Sequence, residues 1–257
     1  MRRGKGRLLE DKGLLDLLEE LRGRLWRIIL YVLVGMSVAW YYYDPLFDLI
    51  LGPVGKMLRP GKDVLAFQRP LEPLLTKIWI CVAAGLASTM PLIALEVWAF
   101  LSPALGRRER KWGYVIVPSA FLLFWGGILA TYKVLPVIFY ILRKFMPSSS
   151  VVFLFLSPHA CASFIAKVYL AAGAVFQMPL VFGVLARLGL VDSKFLLSKW
   201  RHAVVAILVI MAILTPTWDA FTMLVASVPL VFLYFASILV VRLVQRKEEA
   251  EEEFAVT

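Results

Sequence analysis

Apolar and polar residues in this chain come in blocks. Residues 25–43, 78–100, 113–142, 160–190, 203–214 and 220–241 are apolar runs with almost no charge. About 20 apolar residues carry a helix across a hydrocarbon core of about 30 Å, so these blocks predict six transmembrane helices. Ahead of the first, Leu14, Leu15, Leu17, Leu18, Leu21 and Leu25 recur at helical spacing among acids and arginines. That spacing predicts an amphipathic helix lying in the membrane interface. The first span ends in Trp40 and Tyr41 to Tyr43, an aromatic girdle at headgroup level. The fifth run is short: its twelve residues reach only about 18 Å. It must recruit its flanks, thin the bilayer or be re-entrant.

Polar connections separate the runs. Residues 44–75, with Gly52-Pro53, Arg59-Pro60-Gly61 and Arg69-Pro70, read as a sizeable extramembrane loop. Residues 106–112 form a short basic loop, 143–159 a second outer segment, 191–201 a hydrophilic turn and 215–219 a tight turn. The acidic stretch 248–253 reads as a solvated, disordered tail. The expected fold is an all-α polytopic membrane protein with six spans, the fifth and sixth short. It forms a single membrane domain over 1–257, with a cytoplasmic amphipathic segment at 1–24 and a cytoplasmic acidic tail at 242–257.

Composition agrees: 61% of residues are hydrophobic and 18% charged, with a mean hydropathy of +0.79. The net charge of +10 would raise nucleic-acid binding in a soluble chain. Here the basic residues gather at span ends, where they set orientation and meet anionic lipid, and nucleic acid is not expected. Of the 28 lysines and arginines, nineteen fall on the side of the two termini, seven on the other, and Lys133 and Lys167 within spans. Positive residues stay inside, so both termini are expected in the cytoplasm. Cys81 and Cys161 read as small buried hydrophobes, and with only His159 and His202 no Cys/His metal cluster can be assembled. No cofactor is expected. Arg2-Arg3 and Ser37-Val38-Ala39 are reminiscent of an export signal, but Glu10, Asp11, Asp16, Glu19 and Glu20 intervene, so the segment is read as retained.

Ionisable or strongly polar groups within a span are costly and become functional candidates. Glu96, Lys133, Lys167 and Gln177 qualify, with Asp219 at a span edge. Lys133 and Lys167 lie close enough to the outer ends to snorkel, and Glu96 has nearby arginines to pair with. Gln177 sits mid-span in Phe176-Gln177-Met178-Pro179, where an amide is expected to face a concave, partly wet cavity between helices, and the proline predicts a kink. The sequence holds no nucleophile elbow, no H-E-x-x-H and no phosphate-cradling glycine loop, so an enzyme is not expected.

Several segments together resemble a known family. Leu18 to Leu25 (L-E-E-L-R-G-R-L) is similar to the motif leading into the first span of the TatC family, the multi-spanning receptor subunits of the twin-arginine protein translocase. Val97 to Leu105 (V-W-A-F-L-S-P-A-L), followed by Glu109-Arg110, resembles that family's signature at its first cytoplasmic loop. Tyr132 to Pro136, Phe176 to Pro179, and Leu214-Thr215-Pro216 with Asp219 and Pro229 resemble its later steps, in the same order. The likeness covers about residues 14–241. There are departures. The turn of the family, T-P-P-D, is Thr215-Pro216-Thr217-Trp218-Asp219 here, and Met223, Phe235 and Glu96 stand where polar or amide residues are usual.

The resemblance implies a receptor at the cytoplasmic (inner) membrane that binds twin-arginine signal peptides of folded cargo. It also implies TatA-type and TatB-type single-span partners, self-association and use of the proton-motive force. Its recognition positions map to Glu20 and Glu109, with Arg22 and Phe100 beside them, while Gln177, Asp219 and Glu96 are its candidate intramembrane docking residues. An arginine pair is a fixed divalent cation whose planar guanidinium groups suit carboxylates. Glu109 stands among Arg107, Arg108, Arg110 and Lys111, so a helix-end salt bridge is the plainer reading of it. Two other functions stay open: a small-solute secondary transporter, which would explain Glu96, Gln177 and Lys133 equally well, and a structural assembly factor. Against the transporter, the two halves show no repeat and no pair of broken helices.

Overall fold

The computed structural model describes residues 14–55, 58, 63–104, 112–144, 155–214 and 220–256. In chain order these form α1 (Leu14–Tyr41), α2 (Tyr43–Gly55), β1 (Val64–Leu65), α3 (Glu72–Leu101), a 3-10 turn (Ser102–Ala104) and α4 (Gly113–Lys144). There follow β2 (Phe155–Leu156), α5 (Pro158–Val175), α6 (Met178–Arg187), α7 (Ser193–Ser198), α8 (Trp200–Leu214) and α9 (Ala220–Val256). Five helical stretches are long and apolar enough to cross a membrane: Asp16–Tyr41, Glu72–Leu101, Gly113–Tyr140, Pro158–Arg187 and Ser227–Gln245. Trp200–Ala212 is a sixth, shorter apolar helix. The chain is thus a multi-pass, all-α membrane protein. At 15 residues, α8 is about 22 Å long, a turn longer than the apolar run alone because Trp200 to His202 join it.

Three expectations about the connections need correction. The amphipathic segment and first span form one unbroken helix, α1, because nothing between Leu14 and Tyr41 breaks it. The loop after the first span contains the 13-residue α2. Leu46, Phe47, Ile50, Leu51 and Val54 recur at helical spacing there, and Ile50, Leu51 and Val54 are buried. Gly52-Pro53, named among the residues of that loop, falls in the last turn, where a proline disturbs little further helix. The acidic tail, expected to be disordered, continues α9 to Val256. It is rich in Glu, Ala, Lys and Arg, all strong helix formers.

The described residues fall into two compact units: residues up to 22 with 94–124 and 174–257, and residues 23–93 with 125–173. In the second unit the core joins Ile50, Leu51 and Val54 of α2 to Ile80 of α3, Leu135 of α4 and Ile165 and Tyr169 of α5. Here α1 meets α3 at glycines. A Cβ on Gly35 would lie 2.9 Å from Thr89 Cγ2, and one on Gly85 would lie 2.8 Å from the Met36 backbone nitrogen. Without a hydrophobic drive between helices in lipid, such close backbone approach supplies the packing. An apolar cavity of about 420 Å³ opens in this unit, with Tyr42, Trp125, Tyr132 and Tyr169 in its wall.

At one end of this unit the connections are tied by polar bonds. β1 and β2 pair in parallel, Val64 with Phe155 and Leu65 with Leu156, and the Ala66 N–H donates to the Leu156 carbonyl at 3.1 Å. Glu72, only 8% exposed, accepts from the Gln68 N–H at 3.0 Å and from the Ser157 hydroxyl at 2.9 Å. Thr76 Oγ1 donates to the Glu72 carbonyl at 2.6 Å and lies 3.3 Å from His159 Nδ1. Cations rest on aromatic faces: Lys77 4.4 Å from the Trp40 ring and Lys167 4.9 Å from Trp79. The exposed Lys167 therefore holds its ammonium on an indole, as a snorkelling lysine should.

In the first unit the core gathers Ala186 of α6, Leu196 of α7, Ile207 of α8 and Tyr234, Ile238 and Val241 of α9. The Tyr234 hydroxyl donates to the Leu196 carbonyl at 2.7 Å. Gln245 clasps the start of α7, donating to Asp192 Oδ1 at 2.9 Å and accepting from the Ser193 N–H at 3.2 Å.

Candidate functional site

The W-A-F motif lies in the last turns of α3, and its tryptophan packs into the first unit. α3 stops at Leu101 because Pro103 cannot continue it; the chain turns through Ser102–Ala104, with the Ser102 hydroxyl donating to the Ala99 carbonyl at 3.2 Å. When the described chain resumes at Trp112, α4 begins at Gly113, which is buried under Trp98. A Cβ at Gly113 would collide with the Trp98 indole nitrogen. Only glycine allows this contact, which joins the end of α3 to the start of α4. The Trp112 ring in turn carries the Arg187 guanidinium 4.1 Å from its centroid.

Arg187 is placed by a well-formed helix end. α6 closes with the Gly189 N–H donating to Ala186 O at 2.9 Å and the Leu190 N–H to Leu185 O at 3.0 Å, with Gly189 at φ +70°. That Schellman closure needs the left-handed backbone glycine tolerates. The arginine in the last turn also suits the negative end of the helix dipole.

Of the signal-peptide residues implied by the resemblance, Glu20 is half-buried on α1 and engaged by a neighbour, Arg22 is exposed, and Phe100 is half-buried near the end of α3. Glu109 lies outside the described residues, as does Asp219 with the 215–219 turn. Glu96 is half-buried on α3, also with a neighbour engaged, and Lys133 is exposed.

The kink predicted at Gln177 is present. The helix breaks at Phe176 and Gln177, and α6 starts at Met178 with Pro179 in its first turn. The amide is half-buried and turned to a neighbouring helix. Its Nε2 donates to the Ala120 carbonyl of α4 at 2.9 Å. A backbone carbonyl on an adjacent helix is the nearest way to satisfy an amide in hydrocarbon.

Sequence reasoning missed two features. One is the Glu72 hub, signalled faintly by Glu72-Pro73 and Ser157-Pro158, each an acceptor or hydroxyl just before a proline at a helix start. The other is the Trp98–Gly113 clamp with Arg187 on Trp112, which has no local signal.

Comparison with known proteins adds the following. Residues 16–229 match the family model described as Sec-independent protein translocase protein (TatC). The chain is 31% identical to the Sec-independent protein translocase protein TatC of Deinococcus radiodurans, covering 95% of this chain and 91% of that protein. It is 34% identical to the corresponding protein of Xylanimonas cellulosilytica, covering 86% and 80%. A crystal structure of a twin-arginine translocase receptor, TatC, superposes with a TM-score of 0.80 at 32% identity, over 89% of this chain and 99% of that one.

Proposed function

The chain belongs to the TatC family of Sec-independent protein translocase proteins, and on that premise we propose that it is the receptor subunit of a twin-arginine translocase. In this reading it works by transport rather than catalysis. It lies in the cell membrane with both termini in the cytoplasm, where it binds the arginine pair of signal peptides on folded cargo. TatA-type and TatB-type single-span subunits, further copies of itself and the proton-motive force complete the system.

The observation that carries the reading is the contact that ties the W-A-F signature near the end of α3 to the start of α4. Trp98, inside the family's W-A-F signature, locks on Gly113, and Glu109 falls between these two residues in sequence. An exposed ion pair contributes only about 0–1 kcal/mol. Charge-assisted bonds to a guanidinium contribute about 1.5–3 kcal/mol each where water is partly excluded. Glu20 and Glu109 acting together thus discriminate arginine from lysine, which lacks the planar fork.

Site-specific cross-linking of Arg-Arg and Lys-Lys signal peptides to the protein in membranes tests this. Glu109→Gln and Glu20→Gln should each lower the Arg-Arg yield about tenfold or more, and the double variant should lose more. Two single variants that bind Arg-Arg like wild type while rejecting Lys-Lys would move recognition elsewhere. The orientation has its own check: reporters fused after Lys247 and within residues 106–112 should stay cytoplasmic, and one within 55–69 should be exported.

A further inference from the structure

The first unit holds an apolar cavity of about 170 Å³, walled by Trp98, Trp112, Val115, Leu180 and Val240 among others. An apolar cavity of about 150 Å³ accepts a benzene ring, so this one takes about six chain carbons. A helix, about 10 Å across, does not fit. Arg187 stands in the same wall, its guanidinium stacked on Trp112. It is the last residue of the stretch from Pro158 that is long and apolar enough to cross a membrane.

We infer that this cavity seats part of one acyl chain of an anionic phospholipid, whose phosphate is held by Arg187. The apolar wall alone selects nothing, because a lipid tail leaves one hydrocarbon environment for another. Shape retains the tail and charge chooses the headgroup. Stacking on Trp112 fixes the plane of the guanidinium, and a guanidinium binds phosphate in bidentate geometry. Arg187, the cation in this wall, favours a phosphate there, so charge complementarity at the cavity itself points to the lipid rather than to the apolar part of a cationic signal peptide. The inference does not depend on the receptor reading.

The test uses the full chain in nanodiscs of equal phosphatidylglycerol and phosphatidylcholine, with brominated tails on one lipid at a time. Tightly retained lipid is counted by native mass spectrometry, and contact with the cavity is read by tryptophan quenching. Wild type should retain phosphatidylglycerol preferentially. Arg187→Gln should lower that preference about fivefold, the share of one cation near a headgroup, whereas Arg187→Lys should keep most of it. Arg201→Gln, at an exposed arginine outside this cavity, should leave it unchanged. Ser119→Phe, which fills the cavity from its wall, should remove quenching by phosphatidylglycerol tails. Equal retention of both lipids by wild type overturns the inference. So does an Arg187→Gln preference equal to wild type, or displacement of the brominated tail by a twin-arginine peptide.

Discussion

Two buried tyrosines separate the two units. Tyr234, 4% exposed, donates its hydroxyl to the Leu196 carbonyl at 2.7 Å. Tyr169, 8% exposed, keeps its hydroxyl buried with no hydrogen-bond partner among the described residues. The unit around Tyr234 closes its polar groups across helices: Gln177 to Ala120, Gln245 to Asp192 and Ser193. The unit around Tyr169 concentrates its cross-connections at one end, on Glu72, and elsewhere relies on glycine-mediated contact and apolar packing. In hydrocarbon both strategies work, because the drive to associate comes from close packing and from polar groups with no water to turn to. The difference predicts where each unit is brittle.

The largest effect should follow from Gly85→Leu. Its first side-chain carbon meets the Met36 backbone at 2.8 Å, so the helices must part, at a cost of about 3 kcal/mol. Gly126→Leu in the same unit meets nothing within 4 Å and should leave the thermal midpoint in detergent nearly unchanged. Equal losses from the two would show that packing in this unit is not set by backbone approach.

Next comes Glu72→Ala, which strands the Gln68 N–H and the Ser157 hydroxyl at a cost of about 2 kcal/mol. Hydrogen exchange at Ala66, whose N–H joins the short β pair, should accelerate. Glu72→Gln, which keeps an acceptor oxygen, should lose less. Unchanged exchange in Glu72→Ala would remove the carboxylate as the tie between these connections.

The smallest pair is the sharpest. Tyr234→Phe removes a made bond and should destabilise by about 1 kcal/mol, whereas Tyr169→Phe removes an orphaned hydroxyl and should be neutral or stabilising by up to about 1 kcal/mol. If both lose stability alike, the contrast between the units fails at that point.

Much of this molecule is legible along the chain. Each of the six apolar runs became a helix, Pro179 broke the fourth where its ring requires, and the motif order matched the family. The misreadings share a cause. α2 was hidden because its apolar stripe sits beside Gly52-Pro53 and only the presence of Ile80, Leu135 and Ile165 shows what it covers. Gln177 was known to need a partner, but the choice of the Ala120 carbonyl depended on how α4 lies beside it.

The sequence by itself determined the class of fold, the number of apolar helices and the family. The reason is the solvent: hydrocarbon forces every backbone hydrogen bond inside its own segment, so an apolar run of sufficient length has helix as its only open-ended solution. The tertiary structure alone decided that Glu72 meets Ser157 85 residues away, that Trp98 rests on Gly113, and that Arg187 stacks on Trp112 75 residues earlier. Such pairings depend on distances between helices, set by the side chains that fill the space between them, and no local run of residues records them.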